Sequence, residues 1–448
     1  MRFLRRTRPW LFAFAVLVLA VTFTGLLAAC DEDEEEEGTA TATPAGSPAA
    51  GTPAGTGTAA AGGPLKIGML FDYTGDLGEF GPNMETGARL AEKQINDAGG
   101  VLGKPIQLVK ADAATSPQVA VQEATRLVDV EGVQAIIGCL SSGVTIAVAQ
   151  GVTVPSQIVQ ISPASTAASI TDLEDNDFLF RTTLSDTGQG KVLADWAWEE
   201  GYKTVATMYV NNAYGIGLSN GFAQAFADLG GTVTAEVSHE QEQTTYLSEL
   251  QQAVEGDPEV LVAISYPVSA TVYLREAIEN DLIDKFLFVD GTKSADIIEA
   301  LGADALEGTT GTSPSTPEEA SLTADFDEEY EAEYGEAVPA LPYVRESYDA
   351  VIAISLAAEA AGSTDPSEIR DALREVAGPP GDTIGASAAG VEQALEAVRA
   401  GTDIDFQGSA NRSNWDENGD VLTGAIEIFR IVGGEFEVIK VIPVDLTQ

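Results

Sequence analysis

The chain has 448 residues, 44% of them hydrophobic, and its 23 basic and 70 acidic residues give a formal net charge of −47. This length favours two to three domains, and the hydrophobic content is sufficient for a sizeable core. A surface of such negative charge repels phosphates and anionic lipid head groups, which argues against a nucleic-acid partner. One histidine and two cysteines, with no Gly-x-Ser-x-Gly motif, argue against a serine hydrolase and exclude a metal site built from cysteines.

The first thirty residues have the three parts of an export signal: an arginine-rich start, an apolar run over residues 10–21 and a segment of small residues. The apolar run is short for a membrane span. The segment Leu27-Ala-Ala-Cys30 resembles the lipobox of bacterial lipoproteins. This resemblance implies that residues 1–29 are a signal peptide and that Cys30 carries a lipid anchor. An uncleaved anchor helix is the alternative.

Residues 30–63 are predicted to form a disordered tether. An unbroken acidic run over residues 31–37 precedes residues 38–63, which are almost wholly Gly, Ala, Thr, Pro and Ser. Neither composition can bury enough apolar area to fold. A flexible segment of this length spans roughly 28 Å. The tether would therefore let a folded body move close to a membrane.

From residue 65 onward, short apolar runs alternate with helical segments. The first series has predicted strands over residues 65–71, 106–111, 133–137 and 158–161, and the second over 205–210, 232–237, 260–265 and 286–289. Alternation of strands and helices without hairpin signals predicts parallel sheets, and two such series predict two similar α/β lobes. Predicted helices over 318–334, 344–361 and 366–376 follow, and an antiparallel pair, 424–431 with 435–441, ends the chain.

Small hydroxyl residues follow the third and fourth predicted strands. Ser141 and Ser142 come after one strand, and Ala164, Ser165 and Thr166 come after the next. Ligands of open α/β sheets bind beyond the carboxyl ends of the strands. Hydroxyls and backbone N–H groups near helix N-termini suit a carboxylate. These residues are therefore predicted to form a binding edge, although Ser141 and Ser142 are also typical helix N-caps.

Motifs spread along the chain carry a family resemblance. They are Thr74-Gly-Asp-Leu-Gly-Glu-Phe-Gly81, Ile95-Asn-Asp-Ala-Gly-Gly-Val-Leu-Gly103, Gly138-Cys-Leu-Ser-Ser142, Ile161-Ser-Pro-Ala-Ser-Thr166, Asn212-Ala-Tyr-Gly215, Tyr343-Val-Arg-Glu-Ser-Tyr-Asp-Ala350 and Trp415-Asp-Glu-Asn-Gly-Asp420. In this order and spacing, the chain from residue 65 onward resembles the leucine/isoleucine/valine-binding proteins of bacterial ABC importers.

The resemblance implies the type I periplasmic binding protein fold. In that fold, two doubly wound α/β lobes with mostly parallel sheets are joined by three crossovers and hold the ligand between them. The crossovers are expected near residues 180–186, 309–317 and 404–410. The first lobe would then comprise residues 64–183 with 317–405, and the second lobe residues 184–316 with 406–448.

The resemblance also assigns roles to particular residues. Ser142 matches the hydroxyl that binds the ligand carboxylate, and Ala164 and Thr166 match the residues that hold the ammonium by a carbonyl and a side chain. Asp290 matches an acidic residue that pairs with the ammonium, usually Glu, and Ser165 stands where Ala is common. Three aromatic residues match those that line the pocket or close over the ligand: Phe80, Tyr214 and Tyr266.

Plainer alternatives remain for several of these residues. Asp290 is also a plausible helix N-cap, Tyr214 a turn aromatic, and Phe80 a core residue. Asp416-Glu-Asn-Gly-Asp420 faintly resembles a calcium loop, but its glycine is misplaced and a turn is favoured. Cys139 is predicted to be a buried small hydrophobe and His239 to be exposed.

The resulting functional hypothesis is a lipid-anchored, extracytoplasmic solute-binding protein and not an enzyme. It would capture an amino acid or a small polar amide and deliver it to an ABC permease with separate ATPase subunits. A ligand-sensing receptor subunit is the alternative. No cofactor and no metal are expected, the membrane is reached through Cys30, and the chain is expected to be a monomer.

Overall fold

The structure, a computed structural model, describes residues 63–317, 324–411 and 413–447. The predicted signal peptide, the lipidation site at Cys30 and nearly all of the tether therefore lie outside the described residues. Within the described ranges, no helix combines the length and the apolar composition that crossing a membrane requires.

The first part of the chain builds a five-stranded sheet in which all neighbouring strands are parallel. Its strands are β1 Lys66–Phe71, β2 Gln107–Asp112, β3 Ala135–Gly138, β4 Val159–Ser162 and β5 Leu179–Arg181, in the order β2-β1-β3-β4-β5. The helices are α1 Phe80–Asp97, α2 Pro117–Arg126 and α3 Ser142–Val148, with π-helical turns over Leu127–Glu131 and Ala149–Thr153 and a 3-10 turn over Ala168–Ile170.

Both faces of this sheet are buried, which explains why its strands are continuous apolar runs. In β1, Ile67 and Met69 face the core that contains α1, whereas Leu70 faces the core that contains α2 and α3. Cys139, directly after β3, is fully buried and has a free thiol, as the sequence predicts.

The middle of the chain builds a second series of parallel strands. They are β6 Thr204–Val210, β7 Thr232–His239, β8 Val260–Ile264, β9 Phe286–Phe288 and β10 Thr310–Ser315. The accompanying helices are α4 Asp186–Glu199, α5 Ala213–Asp228, α6 Leu247–Ala253, α7 Pro267–Glu279, α8 Ala295–Leu301 and α9 Ala303–Leu306, with a 3-10 turn over Asp290–Thr292.

The last part of the chain completes both lobes. Its elements are α10 Ala324–Tyr334, α11 Val344–Ala361, α12 Pro366–Val376, β11 Asp382–Gly385, α13 Ala388–Arg399, β12 Ile404–Gln407, β13 Thr423–Val432 and β14 Glu435–Asp445. Helix α11 packs against α1, α12 and α13 in the first lobe, and β11 pairs with β12. The antiparallel pair β13 and β14 extends the second sheet to seven strands, in the order β14-β13-β10-β9-β8-β6-β7. The predicted α/β fold with two lobes and mostly parallel sheets is confirmed.

The structure differs from the sequence prediction where strands lack a run of large apolar residues. Strand β10 reads Thr-Gly-Thr-Ser-Pro-Ser and is buried only because β9 and β13 flank it.

The third crossover also lies beyond its expected range. The Ala410 N–H donates to the Asp349 carboxylate at 2.9 Å, and Trp415 Nε1 donates to the Arg181 carbonyl at 2.6 Å. The chain therefore stays on the first lobe until shortly before β13.

Two further sequence expectations concern the exposure of His239 and the conformation of the segment 416–420. His239 is buried, not exposed, because β7 extends to it and directs its ring against Tyr246 and Tyr273. Its Nε2 lies 2.9 Å from Ser265 Oγ, and burial lowers the pKa of the imidazole. The segment 416–420 forms a turn in which the Asp420 carboxylate accepts a bond from Arg181 Nε at 2.7 Å.

Candidate functional site

A pocket lies between the two lobes, at the carboxyl ends of strands from both sheets. Its volume is about 310 Å³, part of which is open to solvent. The lining residues are Leu77, Phe80, Leu140, Ser142, Ala164, Tyr214, Tyr266, Asp290, Gly291 and Tyr343. Six of the nine residues predicted from the sequence are among them, and the other three, Ser141, Ser165 and Thr166, are buried beside it.

The first lobe contributes a polar edge made by two strand ends. Ser142 begins α3 after a three-residue link from β3, and Ala164 lies two residues beyond the end of β4. The Ser142 Oγ accepts a hydrogen bond from the Ala167 N–H at 3.2 Å. Among the described residues this hydroxyl only accepts, so its own hydrogen can be donated into the pocket. The apolar part of the same face comes from the Leu77 and Phe80 side chains.

Two of the predicted hydroxyls have other partners. Ser141 occupies the N-cap position of α3, but its side chain makes no capping bond. Its Oγ accepts a bond from the Tyr266 hydroxyl at 3.0 Å, which links the two lobes. The Ser165 hydroxyl donates to the Leu140 carbonyl at 3.0 Å and lies 2.7 Å from Thr145 Oγ1. Ser165 therefore holds the loops after β3 and β4 together, behind the pocket surface.

The second lobe contributes a carboxylate held by three donors. Asp290 lies two residues beyond the end of β9 and is 3% exposed. Its Oδ1 accepts bonds from Gln189 Nε2 at 2.8 Å and from the Tyr214 hydroxyl at 2.9 Å, and its Oδ2 accepts one from the Tyr343 hydroxyl at 2.7 Å. Burial raises the pKa of Asp290, and these hydrogen bonds oppose that rise. Helix α8 is capped by Ser294 instead, so Asp290 is not its N-cap.

The Asn212-Ala-Tyr-Gly215 motif positions the aromatic part of this face. The Asn212 side chain caps α5 by accepting a bond from the Gly215 N–H at 3.1 Å. A Cβ at Gly215 would lie 2.0 Å from the Val210 carbonyl oxygen, so only glycine fits there. The cap places Tyr214 in the first turn, where its ring stacks on Tyr266 with centroids 5.5 Å apart and planes 11° apart.

A second buried carboxylate, Asp186, lies close to Asp290 but does not itself line the pocket. It is 2% exposed, and burial together with the charge of Asp290 raises its pKa well above its usual range. The Thr166 hydroxyl lies near enough to stabilise the ionised form of Asp186 as a donor, but no hydrogen bond of standard length and angle joins the two. Among the described residues, neither Asp186 oxygen, nor Thr166 Oγ1, nor Gln189 Oε1 has a hydrogen-bond partner. Unpaired buried acceptors are costly, so this end of the site suits a positively charged donor group.

Sequence reasoning missed five residues of the site: Leu77, Leu140, Asp186, Gly291 and Tyr343. Tyr343 begins one of the motifs that carry the family resemblance, but no ligand-binding role was predicted for it. It precedes α11 with a φ of 77°, in the left-handed region that bulky residues rarely adopt. Such strain persists where surrounding contacts enforce it, and here its hydroxyl is fixed on Asp290. Asp186 belongs to no apolar run or turn motif from which a role in the site could have been predicted.

The chemistry of the pocket is that of binding. Its ends differ: hydroxyl and backbone groups lie on one side, two carboxylates lie on the other, and Leu77, Phe80, Leu140 and the tyrosine rings lie between them. In the described ranges, no group of three or more His, Cys, Asp or Glu side chains is arranged to hold a metal ion.

Comparisons with known proteins agree with this geometry. Residues 64–401 match the family described as "Periplasmic binding protein". The Leu/Ile/Val-binding protein homolog 1 of Brucella suis is 29% identical over 324 residues, covering 69% of this chain and 82% of that protein. A chemotactic signal transduction system substrate-binding protein of Halobacterium salinarum is 26% identical over 375 residues, covering 82% of this chain and 85% of that protein.

Among solved structures, a leucine binding protein from Thermotoga maritima superimposes with a TM-score of 0.71. It is 26% identical, and the match covers 84% of this chain and 98% of that one. The resemblance expected from the motifs and the type I fold are thereby confirmed. These relatives are binding proteins and not enzymes, and the same holds for this chain.

Proposed function

We propose that this chain, which belongs to the periplasmic binding protein family, captures an amino acid with an apolar side chain by closing its two lobes over it. The observation that carries the proposal is the opposed polarity of the pocket ends. Asp290, Asp186 close to it and the Thr166 hydroxyl form the acidic end, and the Ser142 hydroxyl forms the other. A buried charge must be matched by a partner, and a zwitterion matches both ends.

In this proposal, the ligand ammonium lies among the acceptors of the acidic end. The Ala164 carbonyl, the Thr166 hydroxyl and the Asp290 carboxylate accept its hydrogens, and Asp186 balances its charge. The ligand carboxylate accepts the hydrogen that Ser142 Oγ has free. A ligand with only an ammonium or only a carboxylate would leave buried groups of the pocket unpaired. The site therefore selects for compounds that carry both groups.

The middle of the pocket sets the side-chain class. Leu77, Phe80, Leu140 and Tyr266 surround it with apolar surface, and burial of a Leu, Ile or Val side chain contributes about 1.5–3 kcal/mol. A charged side chain would lose its hydration there without gaining a partner. The proposed ligand is therefore a branched-chain amino acid or a close apolar analogue.

The wider role follows from the same proposal. Two bodies move against each other. The first comprises residues 64–183 with 317–405, and the second comprises residues 184–316 with 406–448. Residues 409–420 are the exception and move with the first body, because Ala410, Trp415 and Asp420 are hydrogen-bonded to it. Closure brings Tyr214, Tyr266 and Asp290 over the ligand. The closed protein, a monomer anchored through lipid on Cys30, delivers its ligand to an ABC permease with ATPase subunits.

The proposal is tested by calorimetric titration after bound ligand has been removed by unfolding and refolding. L-Leucine is compared with isoamylamine, which lacks the carboxylate, and with 4-methylpentanoate, which lacks the ammonium. We expect L-leucine to bind and each analogue to bind at least about 100-fold more weakly, because each leaves one buried end unmatched. Equal binding of L-leucine and one analogue would show that the corresponding end is not used.

A second candidate is a receptor subunit that reports a solute to a membrane partner. The relative from Halobacterium salinarum favours it, because that protein's name places it in a chemotactic signal transduction system and it matches 82% of this chain. Uptake of labelled leucine by cells, measured with and without this chain, separates the two roles. Loss of uptake without the chain supports transport, whereas unchanged uptake with lost chemotaxis supports sensing.

A further inference from the structure

We infer that Asp76 and Glu79 are positioning residues for ligand binding, because both reach from the first lobe to cap helices of the second lobe and so fasten the closed form. The inference rests on the proposed function, in which closure creates the site. Both residues belong to the loop between β1 and α1, which also supplies Leu77 to the pocket.

Asp76 caps α7 of the opposite lobe. Its Oδ1 accepts a bond from the Ser269 N–H at 2.8 Å, its Oδ2 accepts one from the Ser269 hydroxyl at 2.6 Å, and the residue is 1% exposed. The first turn of α7 has no side-chain cap of its own, since its N-cap residue is Tyr266 and Pro267 follows it. A first-lobe carboxylate therefore supplies the N-cap that the helix itself lacks.

Glu79 does the same at α8. Its Oε1 accepts bonds from the Ala295 N–H at 2.8 Å and the Asp296 N–H at 3.3 Å, and its Oε2 accepts one from the Ser294 hydroxyl. In the part of the chain that the structure describes, Ser294 Oγ accepts a bond from one N–H of its own helix, that of Ile297. The two earlier amide groups are thus satisfied from the other lobe.

The position of these bonds links them to the pocket. Tyr266 immediately precedes α7, and Asp290 begins the turn that leads into α8. The two carboxylates therefore hold Leu77 and Phe80 in register with the second-lobe face. Carboxylate bonds to helix N-terminal amides are charge-assisted. Because they join the two lobes, opening would break them, so they should slow ligand release and leave the association rate unchanged.

The chain offers matched controls in which carboxylates cap helices within one lobe. The Asp365 side chain accepts the Ser367 N–H of α12 at 2.9 Å, and Glu329 accepts the Ala388 N–H of α13 at 2.8 Å. A purely structural role would make Asp76→Asn resemble Asp365→Asn, and Glu79→Gln resemble Glu329→Gln.

The experiment uses the full chain and measures leucine dissociation by stopped flow and lobe separation by single-molecule energy transfer. It is done at pH 8, because burial raises the pKa of the Asp76 and Glu79 carboxyl groups. Dyes are placed on Val130→Cys and Val432→Cys, which are 75% and 41% exposed, in a Cys30→Ser background. We expect Asp76→Asn and Glu79→Gln each to speed dissociation about tenfold, and the double variant to shift the unliganded protein towards larger separations. The two controls should lower the melting temperature only.

The two readouts keep this inference separate from the proposed function. If leucine does not bind, the proposed function fails, and the energy-transfer distributions still decide the inference. A shift towards larger separations in the double variant supports it, and distributions that overlay those of the wild type overturn it. Dissociation rates that change as little as in the two controls overturn it as well.

Discussion

The two faces of the pocket are built on different principles. The first-lobe face is uncharged: it offers hydroxyls, of which Ser142 and Ser165 are held by bonds to neighbouring loops of the same sheet. The second-lobe face is acidic: Asp290 accepts three hydrogen bonds, and Asp186 close to it has no hydrogen-bond partner of standard geometry in the described residues. The first face therefore presents neutral groups to a ligand, whereas the second calls for a positive charge.

This difference has a consequence for specificity. Neutral donors tolerate small changes in a ligand at a modest cost, while buried carboxylates without a cation are penalised strongly. Recognition of the ligand class should therefore depend mainly on the second lobe, even though its motifs are the weaker ones in the sequence.

The largest effect is expected at Asp290. Asp290→Asn keeps a side chain of the same size but removes the charge, so leucine affinity should fall about 100-fold or more. The melting temperature of the unliganded protein should stay the same or rise, because a buried charge is lost. Calorimetry and thermal unfolding measure the two quantities. Retained affinity would remove the second face from the site.

A smaller effect concerns the proton on Asp186. Burial and the charge of Asp290 raise its pKa well above the ordinary range. A bound ammonium would favour the ionised form, so binding should release a proton, and affinity should rise with pH until the raised pKa is passed. We expect about a tenfold rise between pH 6 and pH 8. Titrations in two buffers of different ionisation enthalpy detect the proton, and Asp186→Asn should flatten the profile.

A smaller effect again is expected on the first face. Ser142→Ala removes one neutral donor and should weaken leucine binding about fivefold. Ser165→Ala is the matched control, because its hydroxyl bonds Leu140 and Thr145 behind the pocket. That variant should lower the melting temperature and leave affinity unchanged. The reverse assignment of the two effects would contradict the geometry of this face.

The smallest effect is on stability and arises outside both faces. Burial raises the pKa of Glu346 to about 8 and of Asp72 to about 7. The folded protein therefore holds these protons more tightly than the unfolded chain does. Their contribution to the free energy of unfolding is fully present below about pH 4 and is lost as the pH rises to 7–8. We expect the melting temperature to fall by about 5 °C from pH 5 to pH 8, and Glu346→Gln to reduce the slope.

The same two faces mark what could be predicted from the sequence. Strands β1, β3 and β4 are local apolar runs, and the hydroxyl residues after β3 and β4 follow from that pattern, so the edge that contains Ser142 could be predicted. The second face depends on contacts between distant residues. Tyr343 reaches Asp290 across 53 residues and Asp76 reaches Ser269 across 193, and no local pattern encodes either pairing. Strand β10, without large apolar residues, is likewise a strand only because of its neighbours.

The most direct test of the central claim is a crystal structure of the leucine complex. We expect the ligand nitrogen to lie within about 3.2 Å of an Asp290 or Asp186 oxygen, and a ligand carboxylate oxygen to lie equally close to Ser142 Oγ. The side chain should contact Leu77 and Phe80. A leucine bound in the opposite direction, with its carboxylate beside Asp290, or bound outside this pocket, would contradict the account.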